Sequence, residues 1–153
     1  MANILVYTDG SSRGNPGPGG YGAVMMSGQH RRELSGGFRK TTNNRMELLS
    51  VIVALETIKG HGHNVLVYSD SKYVVDSVEK KWVFGWVKKA FKDKKNEDLW
   101  RRFLNIYPRH NVKFVWVKGH AGNKENERCD VLAVNAATIG PLKVDDGFED
   151  ANQ

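Results

Sequence analysis

Four carboxylates occupy positions that otherwise belong to apolar surfaces. Asp9 follows the run "ILVYT", and Asp70 follows "LVYS". Glu47 lies on a helical face that continues through Val51, Ala54 and Ile58, and Asp130 shares one with Ala133, Val134 and Ala137. Each has an ordinary explanation. Asp9-Gly10 is a hairpin-turn signal, and Asn44 with Glu47 has the spacing of a capping box. Asp70 can cap the helix after it, and Asp130 can pair with Lys124 or Arg128. Together they point elsewhere. If the two apolar runs are parallel neighbouring strands, Asp9 and Asp70 end at the sheet edge where open α/β sheets bind ligands. Glu47 falls in the first turn of the helix between them. Carboxylates gathered in one place repel unless cations hold them. Hard divalent ions with oxygen ligands suit them, Mg2+ by default. A pair of such ions roughly 3.5–4 Å apart is a recurrent device for cutting phosphodiesters.

The elements that must position these acids are readable from periodicity. "NILVYTD", "GGYGAVMMSG" and "HRRELSGGFRK" form three strands of an antiparallel meander. "TTNNRMELLSVIVALETIKG" is a helix apolar around most of its circumference and stopped by Gly60, which places it between a sheet and another layer. "NVLVYSD" is a fourth strand, central and parallel to the first. A helix-rich region runs from Ser71 to about Tyr107, then "NVKFVWVKG" supplies a fifth strand and "NKENERCDVLAVNAAT" a last helix. The expected class is α/β, a five-stranded mixed sheet flanked by helices.

The chain has 153 residues, suited to one domain, with 40% hydrophobic and 26% charged residues. Its single cysteine, Cys129, excludes an internal disulfide framework and a cysteine-based zinc site, and fits a reducing compartment. The N-terminus shows no signal peptide, and no run is long and apolar enough for a bilayer, so a cytoplasmic protein is expected. Net charge is +6; residues 140–153 form an acidic C-terminal tail, Lys143 against four acids, and leave +9 on residues 1–139. Such a balance favours a polyanion as partner. "EKKWVFGWVKKAFKDKK", residues 79–95, sets Lys80, Lys81, Lys88, Lys89, Lys92, Lys94 and Lys95 beside Trp82 and Trp86. This is either an amphipathic helix with tryptophan in the core or a surface that tracks a nucleic-acid backbone.

The segments "YTDGSSRGNPGPGGYG", "TTNNRMEL", "YSDSKYV", "DLW" and "VWVKGHAGNKENERCD" resemble type 1 ribonuclease H of the bacterial kind, in family order over about residues 4 to 148. The resemblance implies a ribonuclease H-like fold. It also implies a metal-dependent endonuclease that cuts the RNA strand of RNA·DNA hybrids, leaving 5′-phosphate and 3′-hydroxyl ends. By the same resemblance Asp9, Glu47, Asp70 and Asp130 hold two Mg2+ ions, with Mn2+ as a substitute. His120, in a loop between Gly119 and Gly122, takes the role of proton handling or product departure. Asn15, Asn43 and Asn44 meet the RNA minor groove, while Lys40, Thr42 and Asn96 form a pocket for a DNA phosphate. Trp82, Trp86, Lys88 and Lys89 belong to a basic protrusion. At Lys72 many relatives carry Gln; lysine cannot accept a hydrogen bond, so a phosphate contact replaces sugar or base-edge reading there. A monomer of low processivity is expected, with no added hybrid-binding domain before residue 1. Three rivals remain: a module that binds hybrids without cutting, a two-carboxylate glycoside hydrolase, and a DNA-cutting enzyme on the same fold.

Overall fold

The computed structural model describes residues 3–119 and 123–151. Strands β1 (Asn3–Ser12), β2 (Gly17–Ser27) and β3 (His30–Thr41) form the antiparallel meander, and β4 (Asn64–Ser69) and β5 (Asn111–Trp116) extend it with parallel pairing. A two-residue strand, β6 (Leu142–Lys143), adds alongside β3, so the sheet has six strands in the order β5-β4-β1-β2-β3-β6, one more than the five expected. The helices are α1 (Asn43–Thr57), α2 (Lys72–Glu79), α3 (Trp82–Lys88), α4 (Glu97–Ile106), α5 (Lys124–Thr138) and α6 (Asp146–Ala151). Among the described residues no helix is long and apolar enough to cross a membrane.

Two helices take opposite faces of the meander. A Cβ on Gly19 would meet the Met46 side chain of α1, whereas one on the next residue, Gly20, would meet the Ala133 carbonyl of α5 at 2.4 Å. Alternation along a strand requires those two directions to be opposite faces. Helix α1 is buried continuously from Arg45 to Ile52, because α4 covers the side turned away from the sheet. Its apolar circumference follows from that sandwich. Val6, Val67, Met46, Ile52, Val74, Trp100 and Phe103 meet in this layer and are all 0% exposed.

Two local readings change. Asp9 does not end its strand, nor does Asp9-Gly10 make a turn: β1 continues to Ser12, with Asp9 opposite Gly22 and Gly10 opposite Tyr21. What stops is pairing with β4, whose last partners are Tyr7 and Tyr68. The acid therefore sits where β1 has parted from β4 and remains tied to β2. The cap of α1 is Thr42, whose hydroxyl accepts from the Arg45 amide, and not Asn44. Glu47 is thereby moved into the second turn and released from a capping box.

The acidic C-terminal stretch is folded onto the domain. Asp145 is 7% exposed and accepts from the Thr41 hydroxyl at 2.7 Å and from Arg45 at 2.8 Å. Its Oδ1 also accepts from the Phe148 amide at the start of α6.

Candidate active site

Asp9, Glu47 and Asp70 converge. Each offers a carboxylate oxygen, and these oxygens lie within 4.8 Å of one another. Asp9 and Glu47 are buried and Asp70 is half-buried. Gly10 makes the approach possible: a Cβ there would fall 2.3 Å from the Glu47 nitrogen and 2.4 Å from the Met46 carbonyl carbon. Only a residue without a Cβ lets α1 lie this close to β1. The Gly10 amide donates to Asp9 Oδ1 at 2.9 Å and also to Glu47 Oε1. Asp70 precedes α2, where Ser71 does the capping by accepting from the Val74 amide.

Burial, and after it the contact with Asp9, pushes the Glu47 carboxyl well above the usual carboxylate range. Its Oε2 is buried with no hydrogen-bond partner. An all-oxygen set, crowded with like charge and holding an orphaned buried oxygen, fits a hard divalent cation.

Asp130 lines the same hollow, of about 430 Å³, as the three clustered acids, although its oxygens are not among those within 4.8 Å. It is brought there through Gly22, the cross-strand partner of Asp9. A Cβ on Gly22 would stand 2.4 Å from the Cys129 carbonyl, so α5 rests on β2 at the turn that carries Asp130. Arg128, offered from sequence as an ion-pair partner for Asp130, instead holds Glu33 at 2.7 Å. Cys129 is no nucleophile. Burial pushes its thiol up to about 12, and its Sγ donates to the Tyr7 carbonyl at 3.2 Å. His120 lies outside the described residues.

Two of the amides expected at the RNA groove hold the start of α1 to the end of β1 and the loop after it. Asn43 Oδ1 accepts from both the Ser12 amide (2.8 Å) and the Ser12 hydroxyl (3.1 Å), and Asn15 Oδ1 accepts from the Asn43 amide at 3.1 Å. Both lone pairs of Asn43 Oδ1 are thus used, which leaves its amino group as the face for a ligand. Asn44 is exposed and borders the acid hollow.

Thr42 and Asn96 share a second hollow of about 690 Å³ with Asn44, Lys94, Lys95 and Arg101. Asn96 has φ 67°, accepts from Arg45 Nη1 at 3.3 Å and donates to the Tyr73 hydroxyl at 3.0 Å. Lys40 is exposed and is not among the residues lining this hollow. Two of the three residues expected at a phosphate pocket are therefore brought together.

The basic run divides between the two readings. Trp86 is half-buried and edge-on to Trp100, with ring centroids 5.9 Å apart, whereas Trp82 is 47% exposed. Both border a hollow of about 660 Å³ with Lys89, Lys92 and Lys94, and Lys88 is exposed near the end of α3. Buried Phe91 anchors the irregular stretch after α3. Lys72, at the start of α2, borders the acid hollow. Arg45, whose partners Asp98 and Asp145 stand far away in the chain, and Trp116, which ends β5, carry no local sequence signal of their roles.

The family model described as RNase H matches residues 1–138. The ribonuclease H of Desulforamulus reducens is 55% identical over 150 residues, covering 95% of this chain and 94% of that one. Among solved structures, LC9-RNase H1, a type 1 RNase H with the type 2 active-site motif, superposes with a TM-score of 0.81 at 34% identity, over 100% of this chain and 82% of that one. LC11-RNase H1, solved in complex with an RNA/DNA hybrid, gives a TM-score of 0.60 at 26% identity over 88% and 96%. With the matched family model, the identity to a full-length relative and the shared sheet, this chain belongs to the RNase H family and is a type 1 ribonuclease H, a hydrolase.

Proposed function

We propose that this enzyme hydrolyses the RNA strand of RNA·DNA hybrids as a metal-dependent endonuclease, leaving 5′-phosphate and 3′-hydroxyl ends. The observation that carries the reading is the convergence of Asp9, Glu47 and Asp70 within 4.8 Å. LC11-RNase H1, a structural relative, has been captured with such a hybrid. Asp9, Glu47 and Asp70, with Asp130 beside them, would hold two Mg2+ ions, Mn2+ substituting. Ions held there would supply Lewis-acid activation of water and stabilisation of charge on the leaving oxygen. The chain's own residues bind and orient. Asn15, Asn43 and Asn44 fix the RNA strand at the start of α1, Thr42 and Asn96 receive a DNA phosphate, and the lysines around α3 follow the backbone. His120 handles the proton.

Digestion of a labelled hybrid, beside duplex DNA and single-stranded RNA, separates this reading from its rivals. Cleavage of the RNA strand in Mg2+ and none in EDTA is expected. Binding without cleavage would make the protein a hybrid-holding module, and cutting of duplex DNA would change the substrate class. Mg2+ should also stabilise the fold, by about 2.7 kcal/mol at a hundredfold excess over its dissociation constant, and this is read as a higher melting temperature. In Glu47→Gln that increment should shrink.

If Lys88, Lys89 and Lys92 track phosphates, they add affinity without chemistry. Neutralising all three should raise the Michaelis constant with little change in turnover. The slope of log affinity against log salt should fall by about 0.7–0.9 for each phosphate that is no longer neutralised. An unchanged slope would make the run a solvated helix face.

A further inference from the structure

We propose that Trp116 is a positioning residue for Lys72: it stations the ammonium beside the carboxylate cluster, where Lys72 takes a backbone phosphate adjoining the one being cut. The inference rests on the hydrolase reading above and adds a residue to it. Trp116 ends β5 in register with Ser69, one residue before Asp70. Trp116 is 41% exposed at the end of an edge strand, yet two contacts fix it. The ring Nε1 donates to the Asp70 carbonyl at 3.2 Å, and Lys72 Nζ stands 4.6 Å from the ring centroid. The first contact joins the ring to the backbone of a clustered acid. The second places a cation against the electron-rich face of the indole.

Lys72 in turn borders the hollow that holds Asp9, Glu47 and Asp70. An ammonium is a donor only, so the group it recognises in a nucleic acid must accept, and a phosphate oxygen also answers its charge. Lysine has a long, mobile stem, and ordering it on arrival of a ligand costs entropy. Holding the ammonium over Trp116 in advance removes part of that cost.

The test is hybrid affinity across a salt series in Mg2+, in an Asp9→Asn background where the hybrid should stay uncut. Lys72→Met should lower the salt slope by about 0.7–0.9, the value of one phosphate contact. Trp116→Leu should weaken binding about 2–5-fold, the worth of an exposed cation–π contact. That loss should vanish when Lys72 is already Met. Trp116→Phe keeps an aromatic face, guards against a folding artefact, and should bind close to the parent. An equal loss from Trp116→Leu with and without Lys72 would overturn the positioning role, and an unchanged slope in Lys72→Met would overturn the phosphate contact. Cleavage by the unsubstituted chain judges the parent reading separately, since this coupling can fail while cleavage succeeds.

Discussion

Asp9→Asn, Glu47→Gln and Asp70→Asn are each expected to abolish cleavage of a hybrid in Mg2+ while leaving the fold intact. Each substitution keeps the shape of the side chain and removes one charge from a group whose oxygens lie within 4.8 Å. The ions such a group holds contribute several kcal/mol of charge stabilisation, so a loss of roughly 10²–10⁴-fold or more is expected. Stability should move the other way. In the metal-free protein the acids repel, and Glu47 carries a buried oxygen without a partner, with its carboxyl pushed upward by burial and by Asp9. Taking one charge away relieves that repulsion. Melting temperatures in EDTA should therefore hold or rise, and their response to Mg2+ should weaken. Near-full activity in any of the three would remove that residue from the metal site. A fall in melting temperature without metal would mean that the carboxylate is a structural group.

The difference between what the sequence shows here and what it hides is one of distance along the chain. Asp9, Glu47 and Asp70 stand out because a charge interrupts an apolar strand or stripe, a pattern visible within a few residues. Their meeting follows from two parallel strands and the helix between them. The cap of α1 is ambiguous in the sequence because "TTNN" holds several residues able to cap, and the choice of Thr42 is made by where β3 ends. The extension of β1 through Asp9 to Ser12 is set by pairing with a glycine-rich β2, not by the composition of β1 itself. By composition, residues 140–153 read as an acidic C-terminal tail. In the fold, Asp145 finds Arg45 at 100 positions' separation and Arg45 finds Asp98 at 53, and no local period encodes either pairing.

That cluster should be the most sensitive structural point outside the core. Arg45 is 3% exposed, and its guanidinium donates to both oxygens of Asp98 (2.8 and 2.7 Å) and both of Asp145 (2.8 Å each). Burial works against its charge, but the hydrogen bonds to Asp98 and then Asp145 outweigh it and hold the guanidinium ionised. Arg45→Ala would leave Asp145 buried and uncompensated, a defect that costs about 3–5 kcal/mol. For a chain of this size that is a fall of about 6–20 °C in melting temperature. Asp145→Asn keeps the shape and one hydrogen-bonding oxygen, so its loss should be smaller. Acid should narrow the gap between parent and Arg45→Ala. Asp98 resists burial's upward push because Arg45 draws its carboxyl below the usual range. A depressed carboxylate contributes its stability above the unfolded value, about 3.9, and loses it as pH falls through the folded value. The difference in melting temperature should thus be full at neutral pH and shrink below about pH 4. Hybrid binding should weaken as well, because Arg45 also donates to Asn96, and Gly147 and Phe148 wall the hollow that Asn96 and Thr42 share. An Arg45→Ala protein melting within about 2 °C of the parent, less than 1 kcal/mol by the same scale, would show that the C-terminal segment is held by other contacts.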